Sequence, residues 1–303
     1  MRVSQPSDVP APMTDRSVAR DISYASSART RPGRAVIRAV ENATGRLRLI
    51  RRAGGYGAEV GAGRDFWEVM VARYGLSLDI VGGGLDLIPR DGPLIVVANH
   101  PFGILDGLML GHVLSLVRGD FRILAHRVFR RAEELNRVIL PISFDGTREA
   151  MATNLETRRT ALDYLGQGGA IGVFPGGTVS TAPRPFGRAA DPVWRAFTAR
   201  MIARSGAQVV PLYFDGANSR LFQLASHLHY TLRMALLISE FRARVDGPVR
   251  MAVGAPVPAA ELAARAGDGK AMMDFLRATT YALSPRPQPT PGYGFEFEDR
   301  YRA

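Results

Sequence analysis

His100 is the residue of this chain best placed to move a proton, and Asp106 is its nearest carboxylate downstream. Both lie in a segment where the apolar run Leu94 to Ala98 stops at Asn99-His100-Pro101. An apolar stretch of helical length, Leu108 to Val117, follows. A buried strand that ends in a polar, Pro-broken turn presents its last side chains at the carboxyl edge of a sheet. In open α/β folds that edge is where ligands bind. An imidazole there with a carboxylate beside it suits abstraction of a proton from a hydroxyl. Five histidines and 28 acidic residues can generate such a pair by chance, and a histidine at a strand end serves structure as readily as catalysis. The weight therefore falls on what lies downstream.

Two later strand ends share the form. Ile171 to Phe174 runs into Pro175, Gly176, Gly177, Thr178, Val179 and Ser180, and Val209 to Phe214 runs into Asp215, Gly216, Ala217, Asn218 and Ser219. Backbone without bulky side chains can approach a ligand closely, and N–H groups around Gly176 and Gly177 can face a developing oxyanion. Ser180 is not preceded by a nucleophile-elbow sequence.

The elements that must position these residues alternate. Strands are predicted at Leu78–Val81, Leu94–Ala98, Phe121–Ala125, Val138–Phe144, Ala170–Phe174, Val209–Phe214 and Val249–Val253. Helices are predicted at Phe66–Tyr74, Thr157–Leu165, Pro192–Arg204, Leu221–Phe241 and Lys270–Leu283. This order predicts one α/β domain over residues 65–283, a mixed, mostly parallel sheet flanked by helices. Residues 1–33 read as a disordered segment, and 284–303 as a tail. Between them, 34–64 reads as a basic amphipathic helix, 35–53, then a Gly-rich linker, Gly54 to Gly63.

Composition narrows the chemistry. With no cysteine among 303 residues, disulfides, thiolate metal sites and a cysteine nucleophile are excluded. Lys270 is the only lysine, which argues against a P-loop or Schiff base. No metal site is expected, since His227 and His229 lack an accompanying carboxylate pattern. The first thirty residues have no apolar core of a secretory signal, and no uncharged apolar run reaches the length of a membrane span. Net charge is +11, of which +7 falls in residues 1–64, where twelve arginines face five acidic residues. Such a segment can lie on an anionic bilayer or pack on the protein's own core with its basic face solvated. The basic residues around 29–52 lack interleaved aromatics, so nucleic acid is not an expected partner.

In order and wording the motifs resemble the glycerolipid acyltransferase superfamily over roughly residues 80–255, which carries a His-x4-Asp block, an arginine block, a Phe-Pro-Glu-Gly-Thr-Arg-Ser block and a Val-Pro strand. His100 and Asp106 resemble the first, Phe144 to Arg148 the second, Phe174 to Ser180 the third, and Val210-Pro211 the fourth. The wording around Asn99 to Gly107 and Gly216 to Phe222 is similar to the hemolysin-named branch, which includes acyltransferases acting on lyso-ornithine and related aminolipids.

That resemblance implies O-acyl transfer from an acyl carrier protein or coenzyme A thioester to a lysolipid hydroxyl. No permanently bound cofactor is implied, and the location is peripheral, at the cytoplasmic face of the inner membrane. It implies catalytic roles for His100 and Asp106. Substrate-binding roles are implied for Asn99, Arg148, Phe174, Pro175, Gly176, Gly177, Thr178, Ser180, Asn218 and Ser219. The His–Asp spacing carries one extra residue, and Gly176 and Val179 stand where the third block has Glu and Arg. That arginine is associated with an acceptor phosphate, so its absence favours a lyso-aminolipid such as lyso-ornithine lipid. Arg184 and Arg188 follow closely enough to compensate. The alternatives are synthesis of phosphatidic acid by the same chemistry, or a non-catalytic membrane-active protein.

Overall fold

The computed structural model describes residues 22–28, 30–126, 133–143, 147–286 and 292–297. Seven strands form one sheet: β1 (Ser77–Gly82), β2 (Leu94–Ala98), β3 (Arg122–His126), β4 (Ile139–Ile142), β5 (Ala170–Val173), β6 (Gln208–Phe214) and β7 (Pro248–Val253). Their order is β1-β7-β6-β2-β5-β3-β4, and every neighbouring pair is parallel except β6 and β7. Mixed and mostly parallel, this is the expected α/β architecture, and each expected strand is present within a few residues.

The central strand explains the arrangement. All five residues of β2 are buried. Leu94, Val96 and Ala98 pack in the core on one side of the sheet, and Ile95 and Val97 in the core on the other. A strand covered on both faces reads as a continuous apolar run, as this one does. Val97 pairs with Val173 of β5, and Ala98 with Leu212 of β6. The three strand ends singled out from the sequence therefore open at one edge.

The helices are α1 (Arg31–Thr44), α2 (Arg46–Ala53), α3 (Tyr56–Gly61), α4 (Phe66–Arg73), α5 (Ile104–Arg118), α6 (Glu133–Val138), α7 (Arg148–Gly166), α8 (Ala196–Ser205), α9 (Arg220–Leu228), α10 (Tyr230–Arg242), α11 (Ala259–Ala263) and α12 (Gly269–Ala282). None among the described residues is long and apolar enough to cross a membrane.

Several expectations are corrected. The single helix expected over 35–53 is two, broken at Gly45, whose φ of 125° a side chain would resist. Its apolar stripe, expected at Val36, Val40, Leu47 and Ile50, is also rotated: Ile37, Leu49 and Ala53 are buried, whereas Val36 and Leu47 are exposed. The Gly-rich linker contains α3, which buries Tyr56. Residues 22–28, expected to be disordered, are ordered. Glu41 of α1 draws them in, accepting from the Ser23 hydroxyl and the Tyr24 N–H at 2.6 Å each. Residues 1–21 lie outside the described ones. The helix expected from Pro192 starts at Ala196, because Trp194 Nε1 donates to Asp191 at 2.9 Å and Arg195 N to Pro175 O at 2.9 Å. The helix expected over 221–241 breaks at His229, an extended residue whose Nδ1 accepts from Thr231 N at 3.0 Å.

The tail also departs from expectation. Gly294 N donates to Asp191 O at 2.8 Å, and Phe295 N to Thr181 O at 3.0 Å. Residues 292–297 thus lie along the third block.

Candidate active site

β2 delivers Asn99 and His100 to the sheet edge, and α5 delivers Asp106 from its first turn. Gly103 makes the connection, with φ 89° and ψ −123°, a conformation open to glycine and strained for other residues. Asp106 reaches back along the helix end: Oδ2 accepts from Phe102 N at 2.8 Å and from Gly103 N at 3.0 Å. A carboxylate at this position also meets the positive end of the helix dipole. The Gly103 turn absorbs the extra residue of the His–Asp spacing, for His100 Nδ1 lies 2.9 Å from Asp106 Oδ2. The ring is turned so that Nδ1 does not aim straight at that oxygen.

Asp106 is fully buried, and its Oδ1 has no partner among the described residues. Burial pushes its pKa above the ordinary carboxylate range, opposed by the contact with His100 and the two N–H bonds. The His100 side chain keeps 18% of its surface exposed, and its ring stacks on Phe174 at 4.3 Å. With Nδ1 beside Asp106 Oδ2, Nε2 is the ring nitrogen left to meet a substrate.

The third block wraps around this pair. Ser180 N donates to His100 O at 2.8 Å. Gly177, at φ 69°, closes a turn by donating its N–H to Phe174 O at 3.0 Å. That bond takes the Gly177 N–H away from an oxyanion. The Gly176 N–H has no acceptor among the described residues and is the donor left at the turn. Pro175 serves through its carbonyl, the acceptor of Arg195 N. The Thr178 hydroxyl lies 3.2 Å from Arg233 Nη2.

Other candidates stand apart from the pair. The Asn99 amide bridges two strand ends, donating to Phe214 O at 2.9 Å and accepting from Phe214 N at 2.7 Å. Ser219 caps α9 by accepting from Phe222 N and donates its hydroxyl to Glu240. Asn218 is buried with no partner for its amide among the described residues. Arg148 is exposed at the start of α7, after the edge strand β4. That strand is three places from β2, roughly 14 Å across the sheet. Residues 144–146 of the second block lie outside the described ones. His227 Nε2 lies 2.9 Å from Ala182 O, and His229 Nδ1 accepts from Thr231 N.

Two residues central to the cluster were not singled out from the sequence. Asp191 is buried; its Oδ1 accepts from His100 N at 3.2 Å and from the Ser180 hydroxyl, and its Oδ2 from Trp194 Nε1. One carboxylate thus joins the first and third blocks. Its only sequence signal is isolation, as the one acidic residue between Asp163 and Asp215. Arg233 of α10 is buried under the third block and donates to Val179 O at 2.7 Å and to the Thr181 hydroxyl at 2.5 Å. Burial lowers its pKa to about 9. An arginine thus reaches the third block from α10, whereas Arg184 and Arg188 are exposed.

Residues 59–286 match the protein family described as Acyltransferase. The chain belongs to that family. Two relatives, each named lyso-glycine lipid O-acyltransferase, resemble this acyltransferase. The protein of Phocaeicola vulgatus is 26% identical over 203 residues, 65% of this chain and 70% of its own. That of Bacteroides thetaiotaomicron is 24% identical over 204 residues, 65% of this chain and 71% of its own. The crystal structure of a 1-acyl-sn-glycerophosphate acyltransferase from Thermotoga maritima aligns with 84% of this chain and 98% of its own, at 17% identity and a TM-score of 0.45.

Proposed function

We propose that this acyltransferase moves a fatty acyl group from an acyl carrier protein or coenzyme A thioester to the hydroxyl of a lyso-aminolipid. The observation that carries the reading is the His100–Asp106 contact at 2.9 Å on the edge of the sheet. His100 Nε2 takes the proton of the acceptor hydroxyl as its oxygen attacks the thioester carbonyl. Asp106 holds the imidazole and offsets the charge it gains. The Gly176 N–H stabilises the tetrahedral oxyanion. Collapse breaks the C–S bond, the thiolate takes the proton from the imidazolium, and an ester and a free thiol leave. Ser180 is no acyl carrier in this scheme, because its hydroxyl donates to buried Asp191.

The names of the two relatives support an amino-acid head group on the acceptor, and glycine before ornithine. The valine at 179 supports it too, since a side chain that would pair with a phosphate monoester is missing there.

Purified protein offered lyso-glycine lipid, lyso-ornithine lipid and lysophosphatidate with each thioester tests the proposal. Ester formation on an aminolipid is expected. Turnover of lysophosphatidate alone would assign the enzyme to phosphatidic acid synthesis, and vesicle leakage without transfer to any acceptor would remove catalysis altogether.

A further inference from the structure

Helices α9 and α10 pack over the loop that carries Thr178 to Thr181, and α1 lies beside α10. Their inner sides are buried, through Phe222, Leu237 and Ile37. Helix α1 runs parallel to α10, with Gly33 beside Thr231 at one end and Gly45 against Arg242 at the other. The outer sides carry large exposed apolar side chains as well. Leu221 and Leu228 stand seven residues apart on one face of α9, and Leu228 is 77% exposed. Leu232 on α10 and Val36 on α1 are exposed in the same way. At the start of α9 is Phe186, 81% exposed, in a loop fixed by Arg220, which donates to Phe186 O at 3.3 Å and Gly187 O at 3.0 Å.

Charge separates this surface from ordinary exposed apolar residues. Residues 30–40, 182–190 and 216–239 contain no Asp or Glu, in a chain with 28 of them. Arg31, Arg34, Arg184, Arg188 and Arg220, in these same stretches, are exposed. The surface combines isolated large apolar side chains with unopposed arginine.

It is also joined to the candidate site. Ala182 N donates to Gln223 Oε1 at 2.8 Å, and Arg233 bonds Val179 O. Ser180 in the same loop bonds His100 O.

We propose that the α9–α10–α1 face, with Phe186, docks on an anionic lipid bilayer. Phe186 and the leucines enter the boundary between headgroups and acyl chains, and the arginines take lipid phosphates. The proposal rests on the reading of this protein as a lysolipid acyltransferase, whose acceptor resides in a bilayer. Of residues 35–53 it keeps only the start of α1 with Val36, since Ile37, Leu49 and Ala53 are spent in the core.

The test is co-sedimentation of the full chain with vesicles of phosphatidylcholine, with and without phosphatidylglycerol. Wild type is expected to bind the phosphatidylglycerol vesicles and to leave the neutral ones. Leu228→Glu and Phe186→Glu, both at exposed positions, should each weaken that binding by about tenfold. Thermal melting and acyl transfer to a water-soluble short-chain lysolipid should stay at wild-type levels. Wild-type binding by both variants, or no binding by wild type, overturns the proposal. So does loss of a self-associated form in the variants with vesicle binding unchanged, which would make the face a contact between copies. Docking that the variants abolish, in a protein that acylates no lysolipid, would uphold the face and refute the function.

Discussion

Asp106 Oδ2 lies 2.9 Å from His100 Nδ1, and the same oxygen accepts the N–H groups of Phe102 and Gly103. Its other oxygen, Oδ1, has no partner among the described residues. One carboxylate oxygen thus fixes both the turn and the imidazole, at the cost of a buried acceptor left bare.

Asp106→Asn separates these two effects. The substitution should lower kcat by about 10²- to 10⁴-fold, because a neutral amide stabilises imidazolium poorly. Stability should hold or rise. The folded pKa of Asp106 is raised, so the native state keeps a proton that the unfolded chain has released. Its carboxylate therefore opposes folding increasingly as pH climbs through and above the carboxylate range. Melting of both proteins across that range should show the variant's advantage absent at low pH and growing upward. An advantage that shrinks with rising pH would reverse the sign.

Gly103→Ala tests the turn. A Cβ there would stand 3.1 Å from Tyr24 Oη on backbone of positive φ, so a stability loss of about 1–3 kcal/mol is expected. Activity should fall with it, since Asp106 loses its seat. Denaturant unfolding beside kinetics checks both, and a silent substitution would show that the turn relaxes freely.

Asp191→Ala leaves the His100 N–H, the Ser180 hydroxyl and the Trp194 indole without their common acceptor. Each unsatisfied buried donor costs about 1–3 kcal/mol, so severe destabilisation is expected. Asp191→Asn keeps the volume and one carbonyl oxygen. It should fold and yet lose kcat, because its one amide oxygen cannot serve both the His100–Ser180 pair at Oδ1 and the Trp194 indole at Oδ2. Unfolding curves and kcat measured on the pair decide this, and a fully active Asp191→Asn would reduce the residue to packing.

Arg233→Lys keeps the charge but cannot reproduce a planar fork that reaches Thr178, Val179 and Thr181 at once. A loss of about 2 kcal/mol or more is expected, with a raised acceptor KM as the third block loosens. Stability and KM equal to wild type would show that Arg233 does not hold the third block in place.

The sheet was legible because its central strands β2, β5 and β6 are buried on both faces and read as uninterrupted apolar runs between breakers. His100 and Asp106 were legible because a strand end and a turn sit next to each other in sequence. What stayed hidden depends on distant pairing. Nothing local to Asp191 announces that the His100 N–H and the Ser180 hydroxyl converge on it. Arg233 reads as one more arginine on a helix until the third block is folded over it. The stripe of residues 35–53 misled because hydrophobic periodicity gives a direction, and Gly45 changes that direction midway. Residues 292–297 looked like a tail because their backbone bonds to Asp191 and Thr181 leave no mark on their composition.

The most direct test of the central claim is acyl transfer by purified His100→Gln, which removes the base while keeping a side chain of similar reach. Its kcat should fall by about 10²- to 10⁴-fold with melting near that of wild type. Transfer within a few-fold of wild type, by a variant that folds, would contradict the claim.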